Sequence, residues 1–308
     1  METGMHENIQ KRDISERPRK RKLKRFLSPA LLILPLLVFI ISFFVVPMLY
    51  ILYLSFIDVK EGLNTEGAVY SIQNYVNFFK DPYYLSSLWL TIKISIYTVI
   101  VCLVLGYPVA LTMAKSSVKV RSFITLLVVS PLLISVVVRN FGWYLLLLPN
   151  GTINKVLMGL GIIDSPLKLL FSEVGVVIGL ASAYLPFMIL AIATSLYNID
   201  PSLEKASSIL GASPLRTFRT VTLPLSFPGI VAGTTLVFSV SMSAYVTPTL
   251  MGGAAVPVLP VVTYDRIMVL FQWTYGSAMS YILLITTLVI VFIYTKIFEK
   301  SKYGEVFK

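Results

Sequence analysis

The sequence is poor in the side chains from which most metal centres and enzyme active sites are built. Its 308 residues include one cysteine, Cys102, and one histidine, His6. One cysteine cannot form an internal disulfide, and this pair cannot supply the three or four protein ligands that a zinc site needs. No Cys/His or Ser/His catalytic pair can be assembled either, because the histidine lies in a polar N-terminal tail. Composition therefore argues against a metalloenzyme or a self-contained hydrolase.

Charged residues are also scarce, at 13% of the chain, whereas a soluble domain carries about 25%. Hydrophobic residues make up 56%, and the mean hydropathy is +0.81. A helix needs about 20 apolar residues to cross the hydrocarbon core of a bilayer, and several charge-free stretches are that long. Lipid admits only helices or closed barrels, and the alternating segments of a barrel are absent from the sequence. The sequence therefore predicts an all-α membrane protein.

The spacing of the charges predicts six transmembrane helices. We place them near residues 29–57, 86–114, 122–148, 174–197, 229–250 and 276–297. A basic tail at 1–28 precedes this six-helix domain at 29–297, and a second tail at 298–308 follows it. A longer connection at 198–228 interrupts the domain between the fourth and fifth spans.

Lysine and arginine are concentrated on one side of these spans. The tails and the connections on their side hold 19 of them, and the opposite connections hold five. The positive-inside rule therefore predicts that both termini are cytoplasmic. The basic run at 17–25 adjoins the first span, where such segments contact anionic lipid. We therefore expect the lipid bilayer, and no nucleic acid, as its partner.

Two cations lie inside predicted spans. Lys93 is about two turns from the outer end of its helix, so we expect its side chain to extend to the interface without a functional role. Arg139 lies deeper in the third span, where a charge needs a partner. It can pair with carbonyls freed near Pro131 or face a polar cavity, and the sequence favours neither a structural nor a pathway role.

Small residues and prolines give two further expectations about packing. The spacing of Gly175 and Gly179, repeated in Gly229 and Gly233, predicts close helix contacts. Glycines and prolines also interrupt the apolar connection at 251–275. Non-helical backbone at membrane depth must be buried in protein or line a cavity, so this connection can dip toward a central pathway. An interfacial belt of aromatic side chains is the alternative for its C-terminal part.

The connection at 198–228 carries the signals of two short helices. Asp200 and Ser213 are each followed by proline, which predicts an N-cap and a first helical residue. Gly211 is placed to end the first helix. Pro224 and Pro228 are expected to end the second helix before the fifth span. A structured loop of this kind indicates docking to a cytoplasmic partner.

This loop resembles the EAA loop of membrane subunits of binding-protein-dependent ATP-binding cassette importers. The family pattern is Glu-Ala-Ala, three residues, glycine, nine residues and Ile-x-Leu-Pro. Here nine residues separate Gly211 from Val221-Thr-Leu223-Pro224. The three EAA positions hold Lys205, Ala206 and Ser207. Lysine thus replaces the family's glutamate, and Glu204 lies one position earlier.

Further motifs resemble the spermidine/putrescine branch of these importers, although permeases for other small solutes share them. They are Leu105-Gly-Tyr-Pro-Val-Ala110, Arg139 after Pro131, Asn150-Gly-Thr-Ile-Asn154, Gly161-Ile-Ile-Asp-Ser-Pro166, Tyr184-Leu-Pro-Phe187 and Thr247-Pro-Thr-Leu-Met-Gly-Gly253.

The resemblance implies a type I ABC importer permease of the bacterial inner membrane, with no cofactor bound by this chain. It implies four partners: a cytoplasmic ATPase dimer that binds ATP and Mg²⁺, a second and homologous permease subunit, an external solute-binding protein and the bilayer. The coupling residues would be Glu204, Lys205, Ala206, Ser207, Gly211, Ala212, Leu223 and Pro224. The sequence also contains no Gly-Lys-Ser/Thr phosphate loop, which independently assigns nucleotide binding to a partner.

A pathway for polyamines should offer aromatic faces, hydroxyls and carboxylates. The candidate pathway residues are Arg139, Tyr184, Ser239, Ser243, Tyr245 and Asp265. The hydroxyls can instead bond to helix carbonyls, as they often do in membranes. Because Arg139 would repel a cation and no intramembrane carboxylate is present, we expect selection to lie mainly in the external binding protein.

Two other functional classes fit the sequence less well. A standalone secondary transporter or facilitator is the alternative to an importer subunit, but such a protein would favour carboxylates at the membrane midplane. An intramembrane enzyme would need paired catalytic groups, which we do not identify.

Overall fold

The computed structural model describes residues 33–58 and 69–299. The predicted tail at 1–28 and nearly all of the tail at 298–308 lie outside these residues, and the predicted orientation of the termini stays a prediction. Within the described residues the fold is helical apart from one short hairpin. Its strands β1 (Ile57–Asp58) and β2 (Val69–Tyr70) pair antiparallel.

Thirteen helices follow one another in the described part of the chain. They are α1 (Ile33–Ser55), α2 (Gln73–Lys80), α3 (Pro82–Lys115), α4 (Val118–Val129), α5 (Val136–Leu147), α6 (Thr152–Gly159), α7 (Glu173–Tyr197), α8 (Pro201–Ile209), α9 (Pro214–Leu225), α10 (Phe227–Met242), α11 (Val246–Met251), α12 (Leu259–Tyr264) and α13 (Trp273–Glu299). By internal contacts the chain divides into one unit that ends at Leu54 and a second that begins at Ser55. All packing described below belongs to the second unit.

Six spans are present if broken helices are counted as single spans. Four helices of the described residues, α1, α3, α7 and α13, are long and apolar enough to cross a bilayer unbroken. Two further spans are bent, by 96° between Leu133 and Val136 and by 60° between Leu225 and Phe227. The predicted six-span helical architecture is therefore confirmed.

The predicted third and fifth spans are not continuous helices. A 3₁₀ turn at Ser130–Leu133 follows α4, and Ile134 then has extended backbone before α5 begins. Pro131 has no backbone N–H to donate to the preceding turn, and this favours a break in the helix there. The predicted span at 229–250 likewise ends at Met242 and resumes only at Val246.

The second loop helix ends before the fifth span, as predicted, but at Leu225 rather than at Pro224. Helix α9 passes through a π segment at Phe218–Thr222 and continues past Pro224 to Leu225. Pro228 instead lies in the first turn of α10, where a missing backbone N–H costs no helical hydrogen bond.

Helices α3, α7 and α10 pack closely around one buried cluster. A Cβ atom added at Gly229 of α10 would lie 2.5 Å from Ser195 Cβ and 2.7 Å from the Ala191 carbonyl oxygen of α7. A Cβ atom added at Gly179 would likewise lie too close to the side chains of Met251 and Thr247. The predicted close helix contact is confirmed for Gly179, Gly229 and Gly233, whereas Gly175 lies against the Leu169 carbonyl oxygen of the preceding connection. The buried cluster includes Cys102, Met113, Met188, Ile192 and Val237.

Lys93 forms an ion pair that the sequence did not reveal. Its Nζ lies 2.7 Å from Glu173 Oε2 and 2.9 Å from Glu173 Oε1, and both side chains are partly exposed. The expected extension of Lys93 to the interface stays a prediction, and the ion pair adds a structural contact that the sequence analysis did not include. Glu173 is the first residue of α7, so this pair joins the start of α7 to α3.

Part of the connection after α11 is buried in protein, as expected of non-helical backbone in an apolar segment. Val256 and Val258 are almost fully buried. The Leu259 N–H donates to Thr91 Oγ1 at 2.8 Å, and the Phe171 N–H donates to the Met251 carbonyl oxygen at 2.8 Å. These hydrogen bonds satisfy backbone groups that would be bonded within the helix if this segment were helical.

Candidate translocation cavity and coupling loop

A cavity of about 630 Å³ lies where the two interrupted segments approach α7. The break before α5 forms one wall, and the break between α10 and α11 forms another. The lining residues are Leu132, Ile134, Val136, Arg139, Ala183, Tyr184, Phe187, Val240, Ser243, Ala244, Tyr245, Val246 and Thr247.

This cavity brings together four of the six predicted pathway residues: Arg139, Tyr184, Ser243 and Tyr245. Ser239 is not among the lining residues, and its hydroxyl donates to the Thr235 carbonyl oxygen at 2.8 Å. Asp265 is also absent from the lining and begins the exposed π segment after α12. The structure therefore separates Ser239 and Asp265 from the other four.

Arg139 lies in the first two turns of α5 and reaches back across the break. Its Nη1 donates to the Pro131 carbonyl oxygen at 3.0 Å, which is one of the pairings expected for this arginine. Its Nε is buried and makes no hydrogen bond to another described residue. The arginine thus ties the two halves of the third span together and also borders the cavity.

Asn140 is a site residue that the sequence analysis missed. It is fully buried, and its Nδ2 donates to Thr247 Oγ1 at 3.0 Å. This bond joins α5 directly to α11, so both interrupted segments are fixed beside the cavity. An amide next to a charged residue in an apolar span was the available signal, because a buried amide must find hydrogen-bond partners.

The lining of the cavity is mainly apolar. Most of its side chains are aliphatic or aromatic, Arg139 carries the one full charge among them, and the lining contains no carboxylate. The Tyr184 hydroxyl donates to the Val240 carbonyl oxygen at 3.4 Å, so it has no basic partner that would activate it. A solute would meet tyrosine faces and hydroxyls from α7 and the α10–α11 break.

The second candidate region is the coupling loop, which we define as residues 200–224. Asp200 Oδ1 accepts a hydrogen bond from the Ser202 N–H at 2.8 Å, which confirms the predicted N-cap and lowers the pKa of Asp200. Gly211 has φ of +80°, a conformation that glycine adopts readily, and it follows the end of α8 as predicted. Ser213 caps α9 by accepting from the Arg216 N–H.

Glu204 points from α8 toward the body of the protein. Thr222 Oγ1 donates to Glu204 Oε1 at 2.6 Å, and Lys115 Nζ donates to Glu204 Oε2 at 3.2 Å. The hydrogen bond from Thr222, followed by the interaction with Lys115, holds the pKa of Glu204 below its ordinary value despite partial burial. Glu204 therefore connects α8 to α9 and to the end of α3.

The remaining predicted coupling residues divide into an exposed and a partly buried group. Lys205, Ala206 and Gly211 are exposed, as are the side chains of Ile209 (86%) and Leu210 (87%). Ser207, Ala212, Leu223 and Pro224 are partly buried, and the Ser207 and Thr217 hydroxyls lie 2.9 Å apart. Aliphatic side chains this exposed on a capped, ordered loop are typical of a protein-docking surface.

Residues 103–302 match the family described as binding-protein-dependent transport system inner membrane component. The chain belongs to this family. It is therefore a transport permease of the inner membrane, and the predicted family, fold and location are confirmed.

Relatives of this permease are similar over most of their length. It is 34% identical over 255 residues to the spermidine/putrescine transport system permease protein PotB of Haemophilus influenzae, a match that covers 83% of this chain and 88% of the relative. PotB of Escherichia coli is 32% identical over 255 residues, which cover 83% of this chain and 92% of the relative.

Solved structures show the same fold. A chain of a bacterial alginate ABC transporter, in complex with alginate pentasaccharide-bound periplasmic protein, superposes with a TM-score of 0.75. The superposition covers 91% of this permease and 96% of that chain at 16% identity. At this identity the likeness concerns the fold alone, and the fold is that of an ABC importer permease.

Proposed function

We propose that this permease forms the translocation pathway of an ATP-driven importer for polyamines such as spermidine and putrescine, or for a similar small solute. The observation that carries the proposal is the similarity, over 83% of the chain, to permeases named for spermidine and putrescine transport. The cavity agrees with a small flexible cation, because Tyr184 and Tyr245 offer π faces and the hydroxyl of Ser243 offers an acceptor.

The cavity of this single chain contributes little selectivity for positive charge. Arg139 repels a cation, and no carboxylate in the lining offsets it. We infer that an external solute-binding protein selects the polyamine and that a second, homologous permease subunit completes the pathway. The lining residues of this chain then need only to tolerate the solute during its passage.

The coupling loop supports a separate cytoplasmic ATPase dimer as the energy source. Its exposed Ile209 and Leu210 would be covered in such a complex, and Glu204 would carry force to α3 through Lys115. ATP and Mg²⁺ would be bound by that partner, and this chain would hold no cofactor.

Reconstitution tests the proposal. The permease is placed in vesicles with a candidate second membrane subunit, ATPase and solute-binding protein from the same organism. ATP-dependent uptake of labelled spermidine and putrescine is compared with uptake of molybdate, because a molybdenum transport system permease is also a relative. We expect spermidine or putrescine uptake that requires all four components. Uptake at full rate by the permease without ATPase would support a standalone transporter instead. ATP-dependent uptake of molybdate alone would retain the importer and reject the polyamine.

A further inference from the structure

The coupling helix α8 presents two chemically different faces. Glu204, Ser207 and Ser208 occupy neighbouring positions on one face because residues three and four apart lie together on a helix. On this face Glu204 bonds to Thr222 and Lys115, and Ser207 bonds to Thr217. Both carboxylate oxygens of Glu204 are thus already engaged within the chain.

Lys205 and Ile209 lie four residues apart and share a second, exposed side of α8, about a third of a turn from the Glu204 face. Lys205 is exposed and forms no ion pair with another described residue. Ile209 and the following Leu210 are the most exposed large aliphatic residues of the loop. A partner that approaches α8 therefore meets a lysine and two aliphatic side chains before it can reach the glutamate.

The charge of the remaining exposed loop is also positive. Arg216 and Arg219 of α9 are exposed, and neither forms an ion pair within the described part of the chain. Asp200 is the one exposed carboxylate of the loop. Its Oδ1 caps α8, and its charge interacts with that of Lys205 without forming an ion pair. The exposed part of the loop thus carries three cationic side chains and one anionic side chain. The charge of Glu204 is compensated by Lys115.

We propose that the ATPase surface that receives this loop is an apolar cleft edged by carboxylates, and that Lys205 makes the polar contact with them. This inference rests on the proposed ATPase coupling and specifies its chemistry. The family pattern places a glutamate at this position, so the permease side of this contact is positive in this importer where the family has a negative charge. Glu204 is then a positioning residue inside the loop rather than a substitute for the missing glutamate.

The test measures binding of the purified ATPase to the membrane complex that contains the permease and its second subunit. Because a reversed charge would face carboxylates, Lys205→Glu is expected to weaken binding roughly tenfold or more, and Lys205→Met by a smaller factor. Raising the salt from about 0.1 M to about 1 M shortens the Debye length from roughly 10 Å to 3 Å, so wild-type binding should weaken as well.

Lys119→Glu is the matched control, because Lys119 is an exposed cation of α4 outside the coupling loop. It is expected to change binding by less than about twofold. Cross-linking from Lys205→Cys then identifies the nearest ATPase carboxylate, and replacing that carboxylate by lysine should restore binding of the Lys205→Glu permease.

Three outcomes would overturn the inference. They are equal binding by the Lys205→Glu and Lys119→Glu proteins, tighter binding by Lys205→Glu, and cross-links from position 205 to a basic ATPase surface. If the wild-type membrane complex binds no ATPase, the proposed function itself fails together with this contact. The two failures are therefore distinguishable in one experiment.

Discussion

Arg139 and Pro131 face each other across the break in the third span, and the arginine Nη1 donates to the proline carbonyl oxygen at 3.0 Å. A break in an apolar span leaves backbone carbonyls without helical donors, and an unsatisfied carbonyl is costly in lipid. The Pro131 carbonyl accepts a backbone bond from the Ile134 N–H at 3.3 Å, and the guanidinium supplies a second donor while its charge borders the cavity. Arg139 thus has a structural role and also lies on the candidate pathway. The sequence alone favoured neither of these two roles.

Replacing Arg139 can separate these roles. Arg139→Leu removes the side-chain donor to the Pro131 carbonyl, which keeps its bond from the Ile134 N–H, and should lower the free energy of unfolding by about 0.5–1.5 kcal/mol. Arg139→Gln can still donate but carries no charge, so it should retain most of the stability and lower the KM for spermidine uptake. Thermal unfolding in detergent and vesicle uptake measure the two effects. Equal instability of both variants would contradict the assigned hydrogen bond.

Substitutions at Gly211 test the turn that ends α8. No atom lies within 4 Å of an added Cβ at Gly211, so conformation rather than space limits substitution at its φ of +80°. Gly211→Val should cost roughly 1–2 kcal/mol in that conformation, whereas Gly211→Asn should cost less. We expect Gly211→Val to reduce ATPase co-purification without loss of membrane insertion. Gly159→Val is the control, since position 159 has equal space and no positive φ.

The close contact of α7 with α10 predicts a steric effect at Gly229. An alanine Cβ would lie 2.5 Å from Ser195 Cβ, so the helices must separate. Gly229→Ala should destabilise the permease by about 1–3 kcal/mol. Gly142→Ala adds the same methyl group where no atom lies within 4 Å, and it should be neutral or stabilising by up to about 1 kcal/mol. Equal melting temperatures for the two variants would refute this packing argument.

The contacts of Glu204 predict acid sensitivity of the coupling loop. Its pKa is lowered in the folded protein, chiefly by the hydrogen bond from Thr222. A lowered carboxyl pKa contributes stability above the unfolded value of about 4.3, and this contribution is lost as the pH falls through the folded pKa. The protection of the amides of residues 200–224 against hydrogen exchange, corrected for the intrinsic pH dependence of exchange, should therefore be constant near neutral pH and fall below about pH 4.3.

Glu204→Gln separates this effect from that of Asp200, whose pKa is also lowered. The glutamine variant should exchange faster than wild type at neutral pH and show a smaller loss of protection in acid, with the residual part belonging to Asp200. An unchanged pH profile in Glu204→Gln would remove Glu204 as the cause.

The six spans and the loop caps could be predicted because each depends on local chemistry. Hydrocarbon thickness fixes the length of a charge-free helix, and the N-caps and C-cap of the coupling loop need only Asp200, Gly211 and Ser213. The positions of the prolines, in contrast, did not predict where the helices break. Pro108 and Pro186 lie inside the unbroken helices α3 and α7, whereas Pro131 lies at a break. Neighbouring helices decide whether the freed carbonyls find partners, and one sequence does not reveal those neighbours.

The cavity was predictable in part for a related reason. Ser239 and Ser243 are four residues apart, so a continuous helix would place both on one face. Helix α10 ends at Met242, and Ser243 therefore leaves the helix and lines the cavity while Ser239 stays bonded within it. The Lys93–Glu173 pair was missed because its partners are 80 positions apart in the chain.

The lack of carboxylates around the cavity has a kinetic consequence for a cationic cargo. A site that passes a solute must bind it weakly enough to release it, and a single buried counter-charge would lengthen its residence time. With Arg139 as its charged member, this lining holds a cation only briefly. The slow step of each transport cycle then falls on the rearrangement of the helices rather than on the escape of the cargo.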